Sequence, residues 1–150
     1  MAFINGTRNN DSLFGTADGN FINGREGDDG LIGRNGNDFL NGGAGKDTLI
    51  GGNGDDTLFG GLNDDILRGG AGNDIFFLAK NQGLDTITDF QLDKDSIILG
   101  NGLSFGQLNI FQNGNDAVIS VANTGENLAF LNGIDAEQLG ANNFEAITSV

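Results

Sequence analysis

An aspartate recurs at nine-residue spacing through the first half of the chain, at Asp11, Asp29, Asp38, Asp47, Asp56, Asp65 and Asp74, with Asn20 filling the one vacancy in the series. Ionised carboxylates accept hydrogen bonds but donate none, and rows of them repel unless a cation lies between. The 150 residues contain no His and no Cys, which leaves zinc without its usual ligands. An oxygen-only shell that tolerates six to eight ligands suits Ca²⁺; Mg²⁺ wants a smaller octahedron and keeps its waters.

The elements that must position these aspartates follow from the repeat itself. Eight uninterrupted units begin at Gly6, Gly15, Gly24, Gly33, Gly42, Gly51, Gly60 and Gly69. Position six is the acidic column. Position eight is apolar throughout: Leu13, Ile22, Leu31, Leu40, Leu49, Leu58, Leu67 and Phe76. Position four is Gly in five units and Asn9, Asp18 or Asn63 in the others, the residue types that best tolerate positive φ. Positions one to six therefore read as a turn ending on a carboxylate, and positions seven to nine as a short strand with position eight pointing inward. Such a strand closes a core only when stacked on copies of itself.

A second period sets the stacking. Phe3-Ile4-Asn5, Phe21-Ile22-Asn23 and Phe39-Leu40-Asn41 are nearly identical and recur at every second repeat. Two units per turn explains this, with odd and even units on opposite sheets. At about 4.8 Å per stacked strand, residues 3–77 span roughly 20 Å. The aspartates fall into two ladders, Asp11-Asp29-Asp47-Asp65 and Asn20-Asp38-Asp56-Asp74, each with three gaps, so the ladders offer up to six sites. Six Ca²⁺ would bring +12 against a net charge of −14.

That charge, from 21 acidic and 7 basic residues, argues against nucleic acid and anionic membranes as partners. A Gly-rich acidic chain also resists folding until something positive binds. No run approaches the roughly 18 apolar residues of a transmembrane segment, and residues 1–30 lack the pattern of a cleaved secretory signal. A disordered linker would not hold an apolar residue in one column eight times, and an ice-binding solenoid would want a regular outward Thr array, whereas only Thr48 and Thr57 occupy position seven.

After Phe77 the glycine rhythm stops. Leu84–Phe90, Ser96–Leu99, Leu108–Gln112, Asn115–Val121 and Asn127–Leu131 read as strands, with Asn113-Gly114 as a hairpin turn. Ala136–Phe144 reads as holding a helical turn. The expectation is an all-β chain: a parallel β-roll over residues 1–77, and over 78–150 a small, mostly antiparallel cap that covers the roll's open end. Met1 begins almost in register with the first repeat, which fits a complete small protein and a trimmed domain equally.

Gly42-Gly43-Ala44-Gly45-Lys46-Asp47-Thr48-Leu49-Ile50, Gly51-Gly52-Asn53-Gly54-Asp55-Asp56-Thr57-Leu58-Phe59 and Gly69-Gly70-Ala71-Gly72-Asn73-Asp74-Ile75-Phe76-Phe77 resemble the nonapeptide Gly-Gly-x-Gly-x-Asp-x-apolar-x of the repeats-in-toxin (RTX) family. The resemblance implies a right-handed roll with Ca²⁺ between loops of successive turns. It implies carbonyl ligands at positions two and four of one loop and one and three of its partner, here from Gly42, Gly43, Gly45, Gly51, Gly52, Gly54, Gly60, Gly61, Leu62, Gly69, Gly70 and Gly72. The departures are N-terminal: position two is Thr7, Thr16, Arg25 and Arg34 in units one to four, and Asn20 replaces Asp, so sites there are expected to be weak or missing.

Gly83–Phe90 followed by Asp93–Leu99 is similar to the segment after the repeats in serralysin-type proteases and alginate-epimerase R-modules. By that resemblance Asp85, with Asp89 as a further candidate, closes a seventh site against the loop of Asp65; by themselves they read equally as solvated turn aspartates. Glu145–Val150 loosely resembles an uncleaved type I secretion signal, and a frayed terminus fits it as well.

The missing residue types exclude His-based triads, thiol nucleophiles and the His-Glu-x-x-His helix. No Gly-x-Ser-x-Gly elbow occurs. Gly42–Asp47 faintly resembles a phosphate loop, but Asp47 stands where Ser or Thr should follow Lys46, and the nine-residue period accounts for its glycines. The expected function is therefore non-enzymatic: a secreted module that folds on Ca²⁺ outside the cell and supports type I secretion. The alternative is a carbohydrate-binding, adhesive or structural surface module. Outward Phe3, Phe21 and Phe39 suggest a face for self-association or a protein partner, with Phe14, Ile32 and Ile50 as a second apolar stripe.

Overall fold

The computed structural model describes residues 1–147. Its strands are β1 (Phe3–Asn5), β2 (Ser12–Phe14), β3 (Phe21–Glu26), β4 (Gly30–Asn35), β5 (Phe39–Ala44), β6 (Thr48–Asn53), β7 (Thr57–Leu62), β8 (Ile66–Ala71), β9 (Ile75–Leu78), β10 (Asp85–Ile87), β11 (Ser96–Leu99), β12 (Leu108–Asn113), β13 (Asp116–Val121), β14 (Asn127–Leu131) and β15 (Phe144–Ala146). One sheet runs in the order β1-β3-β5-β7-β9-β11-β15. The other holds the even strands up to β10 and the three strands β12 to β14, ordered β12-β13-β14-β10-β8-β6-β4-β2.

Within the repeats every pairing is parallel and joins strands two repeats apart in exact phase, as in Phe3↔Phe21, Leu13↔Leu31, Leu49↔Leu67 and Leu58↔Phe76. Position eight lies between the sheets. Ile22, Leu31, Leu40, Leu49, Leu58, Leu67 and Phe76 are all fully buried, each worth about 2 kcal/mol of apolar transfer. Slipping the register by one residue would turn this column outward.

The strands are longer than the three residues the repeat suggests. β3 to β8 each run six residues, from position seven through position three of the next unit. The pairing Arg25↔Gly43 and Glu26↔Ala44 shows how: the first loop residues stay in the ladder. Position two accomplishes this with positive φ, at Gly43, Gly52, Gly61 and Gly70, and also at Arg25 (φ 83°) and Arg34 (φ 85°). A non-glycine residue held there costs roughly 1–3 kcal/mol. The arginines of units three and four thus keep the loop shape that glycine gives later units. Thr7 and Thr16 do not adopt positive φ, and β1 and β2 end after three residues.

The winding continues past Phe77. β10 pairs parallel with β8 (Ile87↔Leu67), and β11 with β9 (Ile97↔Phe76). Ile87 and Ile97 both come later in the chain than two further repeats would put them, so these longer turns are hidden from a nine-residue period. The antiparallel part is the β12-β13-β14 meander, joined to the roll because β14 pairs parallel with β10. β15 pairs parallel with β11 and closes the other sheet. Both sheets cross residue 77 without a break, and Leu78, Ile87, Ile97, Leu99, Ile119, Leu128 and Leu131 extend one continuous core. Short 3-10 turns at Ala136–Gln138 and Ala141–Asn143 fall in the segment expected to hold a helical turn.

Candidate metal centre

Each ladder aspartate sits where a loop re-enters a strand, and there the backbone amide of one turn meets the carboxylate of the next. On one edge the amides of Asp11, Asp29, Asp47 and Asp65 donate to Oδ1 of Asp29, Asp47, Asp65 and Asp85, at 2.7, 2.8, 2.8 and 3.1 Å. On the other, the amides of Asn20, Asp38, Asp56 and Asp74 donate to Oδ1 of Asp38, Asp56, Asp74 and Asp95, at 2.7, 2.8, 2.9 and 2.9 Å.

Asp85 therefore takes the ladder place expected of it, one turn beyond Asp65. Asp89 does not join it. Its carboxylate accepts the amides of Gly69 (3.0 Å) and Gly70 (2.8 Å) and lies 3.8 Å from Arg68. Asp95 is the ladder residue that the nine-residue count misses. The signal was present: Asp85-Thr86-Ile87 and Asp95-Ser96-Ile97 repeat the Asp-x-apolar sequence of positions six to eight.

The second oxygen of these carboxylates decides the chemistry. Oδ2 of Asp29, Asp38, Asp47, Asp56, Asp65 and Asp74 is buried with no hydrogen-bond partner. The two ion pairs among the described residues, Arg8–Glu26 and Arg68–Asp89, touch neither ladder. Burial foremost, and then repulsion between neighbouring carboxylates, raises Asp47 and Asp74 to about 6, Asp56 and Asp65 to about 7 and Asp85 to about 8, against the amide hydrogen bonds that lower them. Burial also raises Asp29, Asp38 and Asp95. A buried carboxylate oxygen without a partner costs several kcal/mol in its charged form. A bound cation removes that cost.

The loop glycines leave room for one. A Cβ on Gly24, Gly33, Gly42 or Gly51 would strike Oδ2 of Asp29, Asp38, Asp47 or Asp56, and would come within 2.5–2.6 Å of the carbonyl oxygen of Gly42, Gly51, Gly60 or Gly69 one turn on. On Gly60 and Gly69 it would strike Oδ2 of Asp65 and Asp74. Position one thus gathers a carboxylate oxygen and, where a repeat lies one full turn on, a carbonyl oxygen. Gly43, Gly45, Gly52, Gly54, Gly61, Gly70 and Gly72 have positive φ and stack directly on carbonyls of the preceding turn. The Leu62 carbonyl accepts the Gly45 amide at 3.2 Å, and that of Gly70 the Gln91 side-chain amide at 3.0 Å. No three His, Cys, Asp or Glu side chains converge among the described residues, so a cation here completes its shell with backbone carbonyls. Such a hard, oxygen-only donor set fits Ca²⁺.

The outward apolar residues also fall where the spacing puts them. Phe3 (73% exposed) and Phe39 (36%) flank a half-buried Phe21, with ring centroids 5.8 and 4.9 Å apart. Phe14 lies under the Arg34 guanidinium at 5.4 Å; Ile32 and Ile50 are half-buried. No helix among the described residues is long and apolar enough to cross a membrane.

Comparison with known proteins agrees with this geometry. The family model of the RTX calcium-binding nonapeptide repeat (4 copies) matches residues 5–40 and again 41–76. No curated protein sequence matches the chain. Among solved structures, the AlgE6R3 subunit of the Azotobacter vinelandii mannuronan C5-epimerase is 30% identical, covering 93% of this chain and 80% of its own, with a TM-score of 0.55. The AlgE6R2 subunit of the same epimerase is 28% identical, covering 98% and 94%, also with a TM-score of 0.55. In its repeats, its parallel roll and its kinship to these subunits, the chain belongs to the RTX calcium-binding nonapeptide-repeat family.

Proposed function

We propose that this calcium-binding β-roll is a folding switch that works outside the cell. The observation that carries the reading is the set of six buried, unpartnered Oδ2 atoms on the two ladders. Where free Ca²⁺ is scarce the ladders repel, and the chain stays extended in the form that suits a type I exporter. Outside, Ca²⁺ fills the gaps, and its binding free energy becomes folding free energy. Asp29, Asp38, Asp47, Asp56, Asp65, Asp74 and Asp85, together with the loop carbonyls, are the ligands assigned to this role, and Asp95 holds the ladder place beyond Asp74 with its Oδ2 accepting the Gln91 amide. Of the segment read as a secretion signal, Glu145 and Ala146 are built into a sheet as part of β15, and residues 148–150 lie outside the described residues.

Circular dichroism during a calcium titration tests the reading. A disordered spectrum is expected in chelator, with strand signal rising cooperatively near ~0.1–1 mM Ca²⁺ and little response to equal Mg²⁺. A chain equally folded in excess chelator would defeat it.

A second role, self-association, is favoured by one face. At positions seven and nine of the repeats in β1, β3, β5, β7 and β9, and at the matching places in β11, the outward residues are Phe3, Asn5, Phe21, Asn23, Phe39, Asn41, Thr57, Phe59, Ile75, Phe77, Ser96 and Ile98. None is charged, in a chain of net charge −14, so this is where a second copy approaches with least repulsion. Light scattering in saturating Ca²⁺ should show association that Phe21→Ser with Phe39→Ser abolishes. A monomeric parent, together with polysaccharide binding that needs Ca²⁺, would instead assign the module to carbohydrate attachment.

A further inference from the structure

The first turn of the roll breaks a pattern that repeats after it. In units three to eight, the atom beside the first glycine is an aspartate Oδ2 to which nothing donates. In unit one Oδ2 of Asp11 takes the same place beside Gly6, facing the Gly24 carbonyl. There, however, it accepts two hydrogen bonds, from the Thr7 amide at 2.6 Å and the Thr7 hydroxyl at 2.9 Å. In unit two the atom beside Gly15, facing the Gly33 carbonyl, is Nδ2 of Asn20. That amide donates to Oδ1 of Asp38 at 3.1 Å and to the Asp18 carbonyl, while the Asn20 Oδ1 accepts from the Thr16 hydroxyl at 3.2 Å. Asn20 is 1% exposed.

An NH₂ group standing where other units hold an unpartnered oxygen supplies from the chain itself the positive charge density that a cation supplies elsewhere. Threonine at position two does the corresponding work for Asp11. It does so in the two loops that lack the positive-φ residue at that position, which is Arg25 and Arg34 in the next turn and glycine afterwards.

We propose that the first turn is closed without metal: the Thr7 and Thr16 hydroxyls and the Asn20 amide replace calcium, and ion binding begins with the loops of Asp29 and Asp38. The roll then has a terminal turn whose loop hydrogen bonds do not depend on calcium, set against interior turns whose loops do. One side-chain exchange, amide for carboxylate, marks the boundary.

The inference rests on the assignment of calcium to the aspartate ladders, and the test separates the two. Native mass spectrometry of the full chain at saturating Ca²⁺ counts ions for the parent, Thr16→Gly with Asn20→Asp, Asn20→Ala, and Asp56→Asn. The double variant should hold one ion more than the parent, and Asn20→Ala the same number as the parent. A double variant with the parent's count, or an Asn20→Ala variant that loses an ion, overturns the metal-free turn. Loss of no ion from Asp56→Asn overturns the ladder assignment beneath it. Should the variants not fold, the parent alone still decides by NMR in Ca²⁺. The Asn20 side-chain amide protons should exchange at least tenfold more slowly than those of a free asparagine, and exchange at the solvent rate refutes the proposal.

Discussion

The backbone amide of Asp38 donates to Oδ1 of Asp56, one turn further along the roll, at 2.8 Å, and Oδ2 of Asp56 is left buried with no partner. One carboxylate therefore has two tasks. Its first oxygen staples successive turns, and its second is left for a cation. Position five adds staples in the opposite sense. The Asp28 amide reaches Asn10 Oδ1, Lys46 reaches Asp28, Asp55 reaches Asn37 and Asn73 reaches Asp55, at 2.8–2.9 Å. Adjacent residues thus bind each loop to both neighbours, and a defect at one loop should reach the next.

Asp56 and Asp11 should differ sharply as alanine variants. Asp56 is 1% exposed and faces turns on both sides, whereas Asp11 is half-buried and tied to Thr7 within its own loop. Asp56→Ala is expected to raise the calcium midpoint for folding at least tenfold, about 1.4 kcal/mol, and Asp11→Ala less than about twofold, on the order of 0.4 kcal/mol. Equal loss of binding by calorimetry would contradict this gradient.

Two glycines give a steric contrast. A Cβ on Gly51 would meet Oδ2 of Asp56 and the Gly69 carbonyl, while one on Gly30, outward in β4, meets nothing within 4 Å. Gly51→Ala should destabilise the calcium-loaded roll by about 3 kcal/mol, as overpacking does. Gly30→Ala should be neutral or stabilise by about 0.4–1 kcal/mol through the unfolded chain. Thermal melts at fixed Ca²⁺ compare them directly.

Asp95 should behave as a repeat aspartate although no glycine repeat surrounds it. It accepts the amides of Asp74 at 2.9 Å and Gln91 at 2.8 Å, so Asp95→Ala should weaken folding as much as Asp74→Ala. Ending the chain at Phe77 should be worse, because it strips β8 and β9 of one pairing partner each, β10 and β11, and uncovers Leu67 and Phe76. A chain of residues 1–77 that folds in millimolar Ca²⁺ as the whole chain does would refute the continuity of the two halves.

In chelator, acid should substitute in part for calcium. The folded-state values of Asp56 and Asp65 are about 7, and that of Asp85 about 8, against 3.8 ordinarily. A raised folded value means the roll binds protons more tightly than the unfolded chain, so the stability these groups contribute is greatest below about 4 and is lost as pH rises through 7 to 8. Circular dichroism without metal should therefore show more strand at pH 5 than at pH 8. Calcium, which needs the ionised form, should bind more weakly over the same descent in pH.

The periodic part of this molecule was legible residue by residue. Glycine at position one, aspartate at six and an apolar residue at eight each answer a local demand, namely room beside a carboxylate, an oxygen ligand and a buried side chain, so eight units, seven of them with the aspartate, announce both the roll and its ion. The echo of Phe3, Phe21 and Phe39 at every second repeat was enough to pair the strands. Beyond Phe77 the local demands loosen. Turns longer than two repeats satisfy the same strand pairing, and only the sheets themselves place Asp95 beside Asp74, aim Asp89 at the Gly69 and Gly70 amides and join β14 to β10. At the other end, Asn20 in the sequence was an aspartate missing from a column. Tertiary structure turned it into a donor facing Asp38, because hydrogen-bond direction depends on which atom the neighbouring turn presents, and that neighbour lies two repeats away along the chain.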